Sequence, residues 1–181
     1  PAGAGSTTIG TFSCWFKLSE LASARGGDYQ TFYSVKDSTN KRFVISIDDS
    51  DRLFIGNYTT GGWDFLLNTT RKFRDISAWY HLCVKIDTTQ GTDTNRVKVY
   101  VNGVQETVFD TGTYPSASFA LSMFVADVTE IGRYAPTSNQ PSDFYLSESV
   151  AIDGTALDPT SFAEFDEDSG IWKPIDVSGL T

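Results

Sequence analysis

Two sets of aromatic and polar residues have the chemistry needed to bind a sugar. An aromatic ring can stack on the apolar face of a sugar while amide and carboxylate groups bond the hydroxyls. Trp63 follows a Gly-Gly pair at a predicted loop tip, where its ring would be accessible. The first candidate set is Trp63, Asn57, Tyr58 and Asp64, and the second is Tyr134, Asn139 and Tyr145. Ordinary packing inside a folded domain is the alternative for both sets.

Acidic loops could supply oxygen ligands to Ca²⁺, which makes this ion the one candidate cofactor. The candidate ligands are Asp48, Asp49, Asp51, Asp87, Asp93 and Asp127. None of these loops has the fixed spacing of an EF-hand. Acidic turns without a metal are common, so a solvated turn is the alternative at each position.

The reactive residues do not form a pattern typical of nucleophilic catalysis. His81 is the only histidine, and no G-x-S-x-G motif is present. Cys83 lies two positions from His81, and alternate residues on one strand face are ~7 Å apart, too far for direct proton transfer. Four ligands of the kind that form a zinc site are also absent. We therefore predict that the chain is not an enzyme.

The charge of the chain argues against two classes of partner. Its formal net charge is −9, and phosphate backbones and anionic lipid repel such a chain. No apolar run approaches the 18 residues of a membrane span. We expect neither nucleic acid nor a membrane as a partner.

The central part of the chain carries the elements that must position these side chains. Apolar residues alternate with polar ones over 80–86 and 97–101, the period-two pattern of strands packed on one face. Asn102-Gly103 tolerates positive φ and predicts a tight hairpin turn. In this register Val97 faces Val108. The pattern predicts three consecutive antiparallel strands.

The rest of the chain continues the same pattern. Further strands are predicted over 9–18, 29–35, 42–47, 52–57, 63–67, 128–134 and 144–152. With a single helical turn at Asp158-Pro159, we expect an all-β fold, a two-sheet antiparallel jelly-roll sandwich with at most one short helical turn. Residues 1–8 are predicted to be a flexible linker and residues 9–181 a single domain. Because the chain starts at Pro1, we expect a processed protein or a part of a longer one.

Several strings of the sequence resemble one known family. WYH at 79–81, YVNGV at 100–104, TFSCWF at 11–16 and the strand and turn at 144–154 are similar to a laminin-G-like domain. Such domains belong to the concanavalin A-like lectin and glucanase superfamily, and the resemblance covers roughly residues 9–178. The tail at 156–174 is similar to a subgroup found in tailed phages of aquatic bacteria.

The resemblance implies a concanavalin A-like sandwich and a place on a bacteriophage. We expect a non-enzymatic, lectin-like capsid or tail adhesion protein on the virion surface, assembled in the host cytoplasm. Its expected partners are a carbohydrate, other virion proteins and further copies of itself. The alternatives are a purely structural capsid decoration or tail-assembly protein, a polysaccharide-cleaving enzyme, and an extracellular bacterial adhesin.

The resemblance also bears on catalysis and on the cysteines. Glucanases of this superfamily carry an E-x-D-x-x-E pattern on one strand, and the nearest string, at 164–169, lacks the last glutamate. We predict that this string is a surface turn. Phage structural proteins assemble in a reducing cytoplasm, so Cys14 and Cys83 are predicted to be buried free thiols, with a disulfide between neighbouring strands as the alternative.

Overall fold

The computed structural model describes residues 5–37, 41–135 and 140–180. These residues form an all-β structure, as predicted. The strands are β1 Ile9–Leu18, β2 Gln30–Lys36, β3 Arg42–Ile47, β4 Arg52–Thr59, β5 Gly62–Lys72, β6 Tyr80–Asp87, β7 Val97–Val101, β8 Val104–Glu106, β9 Phe109–Thr113, β10 Val128–Ile131, β11 Phe144–Asp153, β12 Ala163–Phe165 and β13 Trp172–Pro174.

The strands form two antiparallel sheets and a short hairpin. One sheet has five strands in the order β11-β1-β6-β7-β8, and the other has six in the order β10-β2-β3-β4-β5-β9. Strands β12 and β13 pair separately. The predicted two-sheet antiparallel sandwich is therefore confirmed.

Aromatic side chains from both sheets fill the space between them. On β1, Phe12 and Phe16 are fully buried, and alternate residues of the strand point away from the core. Their rings lie 5.3 Å from the ring of Tyr33 and 4.5 Å from that of Phe32 on the facing sheet. This layer leaves the two outer faces of the sandwich available for other functions.

The predicted central hairpin is confirmed, but its ladder is shorter than predicted. Asn102 and Gly103 have φ values of 50° and 78°, as the tight turn requires. The ladder ends where Val99 pairs with Glu106. Val97 and Val108 therefore do not pair within it, and Val108 is exposed.

Strand β5 is longer than the predicted 63–67. Asn68 and Thr69 are polar yet buried, because they bond across to neighbouring segments. Asn68 donates to the carboxylate of Asp48, and the Thr69 hydroxyl accepts from the backbone N–H of Leu53. Period-two hydrophobicity cannot reveal such residues.

Three short 3-10 turns accompany the strands, at Ala22–Ala24, Asp93–Asn95 and Pro159–Ser161. The sequence predicts only the last, which follows Asp158 with Pro159 at its first position. None of these turns has the length and apolarity that a membrane-spanning helix needs, and the described ranges hold no longer helix.

Part of the predicted N-terminal linker is joined to the sandwich. The Gly5 N–H donates to Phe124 O at 2.8 Å, and the Leu121 N–H donates to Thr7 O at 2.7 Å. Residues 5–8 are therefore tied to the fold by backbone hydrogen bonds. Residues 1–4 lie outside the described residues, and the single-domain boundary stays a prediction.

The C-terminal segment returns across the outer face of the five-stranded sheet. Phe162 is buried there against Cys83 and Ile152. Trp172 packs on the hairpin turn, where a Cβ at Gly103 would approach its ring to 2.9 Å. The segment covers part of this face, and its residues Trp172 to Pro174 line a cavity together with the buried Trp15 and the half-exposed Trp79.

Candidate functional site

A cavity on the outer face of the six-stranded sheet gathers aromatic side chains. Its volume is about 180 Å³. We call it the Trp63 pocket, and its lining residues are Gly27, Tyr29, Phe54, Trp63, Tyr134 and Gln140. Trp63 and Tyr134 come from the two separate candidate sets of the sequence analysis, and the structure brings them to one place.

The Trp63 ring is held at a fixed angle by its neighbours. It meets Phe54 edge-on at 5.0 Å and Tyr58 edge-on at 5.5 Å. Gly56 lies directly beneath it, since a Cβ there would fall 2.7 Å from Trp63 Cε3. The Arg42 guanidinium lies 3.9 Å from the centroid of Tyr58 and 5.2 Å from that of Trp63. The predicted residue Tyr58 therefore supports the pocket from behind.

The opposite side of the pocket carries hydroxyl and amide groups. The ring centroids of Tyr29 and Tyr134 are 6.4 Å apart. Burial raises the pKa of both phenols, so each stays neutral at ordinary pH and can donate or accept a hydrogen bond. Gln140 is oriented by donating to Asp28 Oδ1 at 2.8 Å. Its amide is a polar group at the edge of the aromatic surface.

Asn57 plays a different part from the one predicted, and the candidate Asp64 is its hydrogen-bond partner. Asn57 is fully buried, donating to Asp64 Oδ2 at 3.0 Å and accepting from the Ser122 N–H at 2.8 Å. Asp64 also accepts from the Thr59 hydroxyl at 2.7 Å. The prediction of Asn57 as a direct sugar ligand is thus wrong, because both ends of its amide are occupied and closed to solvent. The pair fixes the end of the β4–β5 hairpin that carries Trp63.

The second candidate set is divided by the fold. Tyr145 lies on β11 in the other sheet, opposite Lys17, and cannot join Tyr134. Its side chain is exposed. Asn139 lies outside the described residues.

The acidic turn at 48–51 uses its carboxylates internally. Asp48 Oδ1 accepts from the N–H groups of Ser50 and Arg52, and Oδ2 accepts from Arg52 Nε and Asn68 Nδ2. All of these partners are hydrogen-bond donors, so groups of the chain itself satisfy both oxygens of the Asp48 carboxylate. A Ca²⁺ ion would have to displace those donors.

Asp51 is satisfied in the same way. It is buried and accepts from the Ser23 N–H and hydroxyl and from Arg74 Nε. Burial raises its pKa, but these hydrogen bonds and the Arg74 charge outweigh that effect, so the net pKa is lowered. Its φ of 66° completes the turn. Asp49, next to this pair, is exposed.

The remaining calcium candidates are scattered. Asp87 accepts from the Thr89 and Gln90 side chains, Asp93 starts a 3-10 turn, and Asp127 is exposed. Across residues 5–37, 41–135 and 140–180, no three His, Cys, Asp or Glu side chains are grouped as metal ligands. The structure therefore does not bring the predicted ligands together.

His81 has a structural environment. Trp172 Nε1–H donates to His81 Nδ1 at 3.0 Å, so the ring proton must sit on Nε2, which lies 2.8 Å from the Ser13 hydroxyl. Burial lowers the pKa of His81 to about 4. The imidazole is neutral and locked in one tautomer, with both nitrogens occupied.

The two cysteines lie on opposite faces of the five-stranded sheet. Cys14 pairs with Leu82 and faces the core, whereas Cys83 pairs with Ser13 and faces outward. Both are buried free thiols, and burial raises the pKa of Cys83 to about 12. Paired residues of adjacent strands point the same way, so this geometry excludes the alternative disulfide.

The acidic string at 164–169 is a turn held by its own ion pairs. Lys173 Nζ lies 2.8 Å from Asp166 Oδ2 and 3.6 Å from Glu164 Oε1. Asp166 Oδ1 accepts from the Ser169 N–H and hydroxyl. These bonds shape the loop between β12 and β13.

A second and larger cavity was not identified by sequence reasoning. Its volume is about 320 Å³, and we call it the tryptophan cleft. Its lining residues are Trp15, Trp79, Ser147, Glu148, Trp172, Lys173 and Pro174. One signal was present in the sequence, since Trp15 falls on the outward face of β1 with Ser13 and Lys17, where a large aromatic ring needs a cover.

Comparison with known proteins places the fold. A laminin-G-type family model, described as the Concanavalin A-like lectin/glucanases superfamily, matches residues 2–160. A search of curated proteins gives no significant match.

The solved structures that are similar to the chain include the following three. The carbohydrate-binding module CBM40 of Ruminococcus gnavus IT-sialidase, bound to α2,3-sialyllactose, has a TM-score of 0.56 at 14% identity and covers 82% of this chain and 76% of that one. A leech intramolecular trans-sialidase complexed with 2,7-anhydro-Neu5Ac has a TM-score of 0.52 at 17% identity, covering 86% and 22%. A structure of botulinum neurotoxin type C, a toxin described as dependent on two ganglioside molecules for cell entry, has a TM-score of 0.52 at 16% identity. It covers 85% of this chain and 34% of that one. At these identities the likeness is one of fold.

Proposed function

We propose that this chain is a non-catalytic module that binds a glycan in the Trp63 pocket. The chain belongs to the Concanavalin A-like lectin/glucanases superfamily, which is the premise of this proposal. The carrying observation is the meeting of Trp63 with Tyr29, Tyr134 and Gln140 around one cavity. A sugar presents an apolar face to a ring and hydroxyls at its edge, and the pocket offers both kinds of surface.

The rigidity of the pocket supports this proposal. Gly56 lets the Trp63 ring lie close to the sheet, and the Asn57–Asp64 hydrogen bond fixes the hairpin that carries it. A ring that is already fixed loses little freedom when a ligand stacks on it. The walls contributed by Tyr29 and Phe54 are likewise in mutual edge-on contact at 5.5 Å.

Comparison with related folds supports the ligand class. The R. gnavus module of similar fold is bound to sialyllactose, and the superfamily description names lectins. The absence of catalysis is supported by three local features. His81 has both nitrogens occupied, Cys83 is a buried thiol with a raised pKa, and Asp166 is paired with Lys173.

We further propose that the module is exposed on the surface of a bacteriophage particle, as part of its capsid or tail. The resemblance of residues 156–174 to the corresponding residues of a phage subgroup supports this location. Immunogold labelling of virions with an antibody against the domain would test it. Label on intact particles is the expected result, and label confined to bacterial cells would favour an adhesin.

The test of glycan binding is an array of the purified protein, run once with Ca²⁺ and once with a chelator. We expect selective binding that the chelator leaves unchanged, because donors already occupy the carboxylates of Asp48 and Asp51. Binding lost with the chelator would instead place the sugar at a calcium site. Silence in both runs would contradict glycan binding and favour a purely structural role.

Two substitutions of one residue then locate the site. Trp63→Phe keeps a flat ring and should retain part of the affinity, whereas Trp63→Leu keeps apolar bulk without a stacking face and should lose it. Trp79→Leu, in the other cavity, is the matched control and should bind the array glycan normally. Loss in Trp79→Leu with retention in Trp63→Leu would move the sugar site to the tryptophan cleft.

A further inference from the structure

The tryptophan cleft combines three aromatic walls from distant parts of the chain. Trp15 comes from β1, Trp79 from the segment before β6, and Trp172 from β13. Trp79 is 45% exposed, which is unusual for so large an apolar ring. Its exposure leaves the cleft open to solvent on one side.

The polar groups of the cleft are few and unevenly charged. Lys173 is neutralised by Asp166 and Glu164 outside the cleft. Glu148 makes no ion pair or hydrogen bond within the described part of the chain, so its carboxylate is the uncompensated charge at this site. The cleft is therefore a set of π faces beside one free negative charge, in a chain whose net charge is −9.

The backbone at Glu148 is held in an unfavourable conformation. Cys14 on β1 faces an extra residue of β11, because Trp15 pairs with Ser147 while Ser13 pairs with Val150. This β-bulge puts Glu148 at a φ of 48°, a region that favours glycine. Bulges re-aim side chains, and strain of this kind persists where the surrounding structure enforces it. Here the bulge places Glu148, an exposed residue, among those that line the cleft.

One buried donor in the cleft also lacks a partner. Trp15 is 9% exposed, and its Nε1–H has no hydrogen bond with any residue in the described ranges. This nitrogen is itself closed to solvent, so a ligand in the cleft would contact other atoms of Trp15 and not this donor.

We propose that the tryptophan cleft binds a small quaternary ammonium ligand. Trimethylammonium attracts aromatic faces through its positive charge and needs no hydrogen-bond acceptors around it. Trp79 and Trp172 would face its methyl groups, and Glu148 would balance its charge. A pyranose fits less well, because it needs polar partners on several edges, and the cleft offers few.

The test uses choline chloride and its uncharged carbon isostere, 3,3-dimethyl-1-butanol, titrated into the full chain by calorimetry and tryptophan fluorescence. The two probes share a shape and a hydroxyl and differ in charge. We expect choline to bind at least about tenfold more tightly than the isostere. Equal affinities would overturn the proposal, leaving a plain apolar cleft, and so would an absence of choline binding.

Substitutions at Trp79 separate the aromatic face from apolar bulk. Trp79→Phe should keep part of the choline affinity, whereas Trp79→Leu should weaken it about tenfold. Both side chains are apolar and the site is half exposed, so the fold should tolerate either. Trp63→Leu, in the other cavity, should leave choline binding unchanged, which separates this proposal from glycan binding. Retention of choline binding in Trp79→Leu would contradict the cation–π basis.

Substitutions at Glu148 test the charge. Glu148→Gln should weaken choline binding and leave the isostere unaffected, and Glu167→Gln is the matched control at an exposed acid outside the cleft. Glu148→Gly relieves the positive φ, so it should be at least as stable as the parent protein while binding choline more weakly. Unchanged choline affinity in both Glu148 variants would overturn the role of the carboxylate. Binding of methyl glycosides that is lost in Trp79→Leu would assign the cleft to sugars instead.

Discussion

Lowering the pH from 7 to 5 should destabilise the protein through His81, which is buried between β1 and the C-terminal hairpin. Trp172 Nε1–H occupies Nδ1 at 3.0 Å, and Nε2 lies 2.8 Å from the Ser13 hydroxyl. Protonation would set a second N–H against the Trp172 donor inside a buried site. Burial already lowers the pKa of His81 to about 4.

The size of the effect follows from the two protonation equilibria. In the unfolded chain this imidazole has a pKa of about 6.5. Between that pH and about 4 the unfolded state binds more protons, so the free energy of unfolding decreases as the pH falls. The His81 contribution is fully present above this window. It declines by about 2 kcal/mol between pH 7 and 5 and by about 3 kcal/mol by pH 4.

Two measurements check this reasoning. Because the chain has one histidine, the imidazole resonances in proton NMR report His81 directly, and their midpoint should lie near pH 4. Urea unfolding between pH 7 and 5 should show the 2 kcal/mol decline. His81→Phe should be less stable at pH 7, with Trp172 and Ser13 left unpaired, but nearly flat over that range. A folded-state midpoint near 6.5, or an equal decline in His81→Phe, would refute the argument.

Three further predictions concern buried groups. Asp48→Asn should cost roughly 2–4 kcal/mol in urea unfolding, because an amide cannot accept from all the donors around it; a loss below about 1 kcal/mol would contradict this. Gly56→Ala should displace the Trp63 ring, destabilising the fold by about 1–3 kcal/mol and weakening glycan binding, and normal array binding would count against the assigned pocket. Cys14 and Cys83 should react with a thiol reagent only after denaturation, whereas fast labelling of native protein would show that they are accessible.

The sandwich could be predicted from sequence because its signals are local. Alternation over 80–86 and the Asn102-Gly103 turn each involve neighbours in the chain, and the structure bears out both. The errors arise where distant residues decide the outcome. Strand β5 continues through Asn68 because that amide bonds to Asp48, which no window around β5 contains.

The sites were harder to predict for the same reason. Trp63 is recognisable as a candidate from its loop, but its association with Tyr29 depends on how the six-stranded sheet folds. In sequence the acidic turn resembles a calcium loop. In the fold, Arg74 and Ser23 donate hydrogen bonds to the Asp51 carboxylate. The partners of a buried carboxylate are determined by tertiary contacts, which cannot be predicted from composition.

The two cavities arise in the same way, at the margins of segments that fold back over an outer face. Over the six-stranded sheet, the Ser34 hydroxyl bonds to the backbone of Arg133 and Ala135, and the Thr31 N–H donates to the Ser142 hydroxyl. Over the five-stranded sheet, the C-terminal hairpin places Trp172 against His81. In each case one tryptophan ring remains accessible beside the covering segment, Trp63 on one face and Trp79 on the other. Because the core separates the two faces, substitutions in one cavity should leave the other intact, and their effects on stability should add. We therefore expect the two proposed ligands to bind independently of each other.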